Sequence, residues 1–83
     1  MVLSMNRNEA IAFLKEVFGT CTLFDGQFLC LMPPNPGSLF SKGYQIHMKN
    51  PIHSDDLVCM NEILRRYGLL LKVEKEVTII YRS

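Results

Sequence analysis

The chain lacks any run approaching the roughly 18 consecutive apolar residues that a membrane-spanning helix needs. Its opening stretch, MVLSMNRNEAIAF, lacks a basic segment ahead of an apolar one. No membrane contact and no leader are therefore expected, and a cytoplasmic location is the expectation. A preponderance of one charge is also missing: nine Lys and Arg against eight Asp and Glu leave a net charge of +1. No whole-molecule field steers such a chain to DNA, RNA or anionic lipid, so nucleic-acid binding would require a local patch. Cysteine is scarce and odd in number, at three, which argues against a secreted disulfide scaffold and for reduced thiols. The Gly-Ser and Lys-Gly pairs between residues 37 and 43 do not open a helix, so they do not form a phosphate loop. The central-strand aromatics of an RNA-recognition module are absent too.

What is present is an ordinary globular composition, 48% hydrophobic and 20% charged over 83 residues. This predicts one small domain over residues 1–83, folded throughout, at a size where the core leaves only about 3–5 kcal/mol of net stability. Any staple, whether metal, disulfide or dimer, would count heavily at that size.

Two helices announce themselves by their caps. In NRNEAIAFLKEVFG, Asn6 is placed to cap and Glu9 to reach back from the third helical position. Ala10, Ile11, Leu14, Val17 and Phe18 share a face, and Gly19 supplies a left-handed stop, which predicts a helix from Arg7 to Phe18. In HSDDLVCMNEILRRYG, Ser54 caps, Asp55 and Asp56 complement the N-terminal dipole, and Arg65 and Arg66 the C-terminal one before Gly68. Leu57, Met60, Ile63, Leu64 and Tyr67 form the buried stripe of this second helix. Such helices need an apolar sheet to cover.

Strands follow from period two. YQIHMK sends Tyr44, Ile46 and Met48 one way and Gln45, His47 and Lys49 the other. The C-terminal LLLKVEKEVTIIYR reads as a hairpin in which Leu69, Leu71 and Val73 oppose Tyr81, Ile79 and Val77 around a Glu74–Glu76 loop. One residue of that loop must then take a left-handed conformation, since it lacks glycine. Asp25-Gly26, flanked by apolar runs, predicts a further hairpin with a two-residue turn, in which Cys21 faces Cys30. The segment from Pro33 to Gly43, with three prolines at its start, is a long connection that either packs Leu39 and Phe40 over the sheet or binds a ligand.

The expected fold is thus α+β, a two-layer sandwich in the order αβββαββ, with a mainly antiparallel five-stranded sheet and both helices on one face. Cys21 and Cys30, on the apolar face with Leu23, Phe28 and Met32, are expected as inert buried thiols, with a reversible disulfide or half a metal site as the sharper alternatives. His47, His53, Asp55, Asp56 and Cys59 lie close in sequence but match no metal-ligand spacing, so no metal is expected. His53 and Cys59 have no orienting third group that would make them a nucleophile pair. With no cofactor signature and no acid-base pair, the chain is not expected to be an enzyme.

The other sheet face is predicted to be mixed: Phe24, Leu29, Leu31, Leu70 and Ile80 among His47, Lys49, Lys72 and Arg82. Apolar area ringed by polar groups suits a contact with a partner, most simply a second copy of the chain. A single strand of nucleic acid stacking on Phe24, with phosphates near the basic residues, is the alternative use of the same face.

Overall fold

The computed structural model describes residues 4–21, 28–34, 42–49 and 52–83. Its elements run α1 (Arg7–Thr20), β1 (Phe28–Met32), β2 (Gln45–Lys49), α2 (Ser54–Tyr67), β3 (Leu70–Glu74) and β4 (Val77–Tyr81). The strands form one sheet in the order β1-β2-β4-β3, antiparallel at every join. The expected α+β class holds, but the described residues contain four strands and not five. α1 continues through Thr20, Cys21 follows it in extended conformation, and the Asp25-Gly26 turn lies outside the described residues.

Asn6 caps α1 as its position implies, accepting the Glu9 N–H through Oδ1 at 2.7 Å. The Glu9 side chain does not close the capping box; it is drawn to Arg82. Gly19 does not stop the helix, which passes through it before ending at Cys21. α2 starts one residue early, with Ser54 inside the helix and His53 at the cap without a side-chain hydrogen bond. Its end is as expected: Gly68 takes φ 68° and ψ 34°. The Gly68 N–H donates to the Arg65 carbonyl and the Leu69 N–H to that of Leu64, at 2.9 Å for the latter, so the last carbonyls are satisfied and the chain turns directly into β3.

One face of the sheet carries the core. Ile46 stands opposite Ile80, Met48 opposite Thr78, Leu31 opposite Ile46 and Leu71 opposite Ile80. These side chains, except Thr78, join one apolar cluster with Ala10, Phe13, Leu14 and Val17 of α1 and Met60, Ile63 and Leu64 of α2. Phe13 meets the Tyr67 ring edge to face, centroids 5.5 Å apart, where the two helices approach.

The β3–β4 register differs from the expected one by a single residue. Leu71 pairs with Ile80 and Lys72 with Ile79, so the turn is the two-residue Lys75-Glu76, with φ 52° at Lys75. The shift has a simple cause. β4 is flanked on both sides, and Val-Thr-Ile-Ile-Tyr is apolar in both parities, so alternation alone does not choose its inward face. Ile79 and Ile80 are in fact both buried. In β1 the parity is reversed by an irregularity between Phe28 and Cys30. Leu31 therefore turns to the core and Cys30 to the surface.

The chain ahead of α1 is tied in by a parallel bridge between Met5 and Gly43. The Met5 N–H donates to the Lys42 carbonyl at 3.1 Å, and the Tyr44 N–H to the Met5 carbonyl at 2.9 Å. Met5 is fully buried. Gly43, at φ 86°, has the Met5 backbone where a Cβ would stand, so only glycine permits this approach.

Candidate functional site

The face of the sheet turned away from the helices is built by the residues that alternate with the core. Cys30 lies opposite His47, Met32 opposite Gln45, His47 opposite Ile79, Lys49 opposite Val77, Lys72 opposite Ile79 and Leu70 opposite Tyr81. At the β3–β4 turn this face holds a groove of about 530 Å³, floored by Val77 and Ile79 and rimmed by His47, Glu74, Lys75 and Glu76. His47 shares a hydrogen bond with the Gln45 carboxamide, Nε2 to Oε1 at 3.0 Å. Burial lowers its pKa below the ordinary value of 6.5, against a smaller upward pull from the Glu74 carboxylate. Lys72 reaches the Glu74 carboxylate at 3.5 Å.

Of the residues expected on this surface, His47, Lys49, Leu70 and Lys72 are there, and Leu29 is exposed at the irregularity of β1. Three are not. Ile80 is fully buried in the core because of the one-residue register difference, and Leu31 packs beneath the helices. Arg82 sits on the helix side, where its two guanidinium nitrogens reach the two Glu9 carboxylate oxygens at 2.8 and 2.6 Å and one also donates to the Tyr67 carbonyl. Phe24 lies outside the described residues. Val77, Ile79 and Tyr81, assigned by sequence to the core, belong to the open face; the only signal for them was the length of the turn.

The thiols also rearrange. Cys21 is bonded to Cys59, joining the end of α1 to the second turn of α2, while Cys30 is exposed and free. The Cys21–Cys30 pair is therefore not formed, and two of the three thiols are oxidised where reduced ones were expected. The error lies in continuing a strand back to Cys21: the residue is held by its N–H to the Val17 carbonyl at the helix end. Cys30 has the Met32 thioether as a neighbour, Sγ to Sδ 3.4 Å.

Comparison with protein-family models, curated proteins and solved structures gives no match. Among the described residues no group of three or more His, Cys, Asp or Glu is placed to hold a metal ion. No helix of the described residues is long and apolar enough to cross a membrane.

The outer strands show a concentration of exposed apolar side chains. Leu29 (48% exposed) and Met32 (40%) lie on β1, and Leu70 (46%) and Val73 (59%) on β3. Among the described residues only Phe18 and Val58, on the helices, are comparable. Val73 was expected in the core, and by register it does lie on the helix side, yet it is the most exposed large apolar residue of the sheet.

Proposed function

We propose that this protein is a non-catalytic assembly module that associates with copies of itself through the part of its sheet that the helices leave uncovered. The observation that carries this reading is the position of the exposed apolar residues: four sit on the two outer strands, where an isolated soluble domain ordinarily has charges, proline or very short strands. The mixed open face, with Lys49 and Lys72 beside Val77 and Tyr81, supplies a polar surround of the kind interfaces have. Nucleic acid fits less well, since Arg82 is engaged with Glu9 and does not lie beside Lys72.

Sedimentation equilibrium over a hundredfold range of concentration tests the reading. A mass that rises from monomer to dimer supports it. So does loss of the dimer in Val73→Lys, a variant whose helical circular dichroism should be unchanged because Val73 is 59% exposed. A monomer at every concentration overturns it.

A further inference from the structure

Within that reading, the geometry points to a definite mode of pairing: we infer that two copies join edge to edge through β3, antiparallel, with Val73 on the two-fold axis and Lys72 of each copy opposite Glu74 of the other. Among the described residues β3 is an outer strand, bordered in the sheet by β4 alone. Its two-residue turn makes Glu74 and Val77 a hydrogen-bonded pair, so Glu74, Lys72 and Leu70 bond to β4. By the alternation of the ladder, Leu71 and Val73 direct their N–H and C=O groups toward the rim of the sheet. A second β3 must therefore set odd-numbered residues against odd-numbered ones.

Five two-fold registers, one centred on each β3 residue, satisfy that condition, and side chains and backbone bonds separate them. Centring on Leu70 sets Leu71 against Leu69, which is already hydrogen-bonded. Centring on Lys72 sets two lysines against each other, and centring on Glu74 sets two glutamates. Both are unfavourable across a strand pair. Centring on Leu71 sets Val73 against Leu69, whose N–H already donates to the Leu64 carbonyl. Centring on Val73 leaves no such conflict. The two Val73 residues exchange hydrogen bonds and lay their exposed side chains together, and each Lys72 meets a carboxylate on both its own strand and the facing one. In this register the Lys75-Glu76 turn of one copy comes alongside Leu70 and Leu71 of the other. Those residues line a groove of about 430 Å³ with Asn61, Leu64, Arg65 and Leu69, which the incoming turn would close.

Charge exchange between copies tests the register. Lys72→Glu and Glu74→Lys, each alone, place like charges at both cross-strand positions of a homodimer. Each should weaken dimerisation about tenfold or more, from two pairs turned from attractive to repulsive. Mixed together, the two variants carry only acidic groups on one copy and only basic groups on the other, and the heterodimer should regain wild-type affinity, read by sedimentation with one partner labelled. The contacts within each chain remain like-charged in that mixture, so recovery reports the facing strands and not the fold. In a Cys30→Ser background, Val73→Cys should also cross-link to a dimer under mild oxidation, because hydrogen-bonded partners lie about 5.5 Å apart at Cα. If the wild type dimerises but the mixture shows no recovery, or if Lys72→Cys cross-links where Val73→Cys does not, the register is overturned while self-association stands. A monomeric wild type overturns both.

Discussion

His47 shows how one side chain reports the state of the open face. Burial disfavours its protonated form more than Glu74 favours it, so its pKa in the folded protein lies below that in the unfolded chain. Above both values the imidazole is neutral in either state and contributes no pH dependence. As the pH falls through about 6.5 toward the lower folded value, the unfolded chain takes up the proton first, so stability declines across that window and levels off beneath it. Urea midpoints between pH 7.5 and 5 should thus fall more steeply in the wild type than in His47→Gln. Equal slopes would show that His47 is as well hydrated as in the unfolded chain. The same residue links the two proposed surfaces, since its neighbour Glu74 is also the group that meets Lys72 across the inferred dimer.

At the scale of elements, the helices and β2 were legible in the sequence because each carries a signal that does not depend on a neighbour. Asn6 and Gly68 mark ends where backbone groups are satisfied locally, Asp55 and Asp56 mark a first turn by complementing the helix dipole, and Ile46 and Met48 alternate with polar residues on a strand whose one face is wet. The β3–β4 hairpin was legible as a hairpin but not in register, because residues 77–81 are apolar in both parities and only the turn decides. Cys21 and Arg82 were misread for a related reason. Their roles are set by partners distant in sequence, Cys59 and Glu9, to which no local pattern points. The candidate surface inherits these limits: the residues on β2 and those whose parity did not shift survive, while Ile80, Leu31 and Arg82 leave it. Arg82 has a testable structural role instead. Its guanidinium ties the end of the last strand to the start of α1 and to the last carbonyl of α2, and both charged groups are mostly withdrawn from water. Arg82→Met should cost about 2–3 kcal/mol in urea denaturation, because a carboxylate and a carbonyl lose their donor together. Glu9→Gln should cost less, since its N–H remains bonded to Asn6 and its amide oxygen still accepts. Equal, negligible losses would mean that the ion pair is as weak as an exposed one.

For the molecule as a whole, size makes covalent and noncovalent staples interchangeable in effect. A core of this extent leaves about 3–5 kcal/mol. The Cys21–Cys59 bond, closing 38 residues, removes unfolded-state entropy worth about 4 kcal/mol on the chain-entropy account. Oxidised protein should expose a single reactive thiol, Cys30, and unfold at a clearly higher urea concentration than reduced protein or Cys59→Ser. Cys30→Ser should leave the midpoint where it is. A Cys30→Ser variant that loses as much as Cys59→Ser would show the bond to be wrongly paired. Dimerisation acts on the same balance by mass action, since any association confined to the folded state raises stability with concentration. The two staples sit at different places, the bond between the helices and the inferred pairing at β3. Reduction should therefore lower the midpoint without abolishing its dependence on protein concentration, whereas in Lys72→Glu that dependence should move to concentrations about tenfold higher or more while the response to reduction persists. Coupled loss of both in either case would mean that the bond and the strand edge stabilise one structural unit and not two.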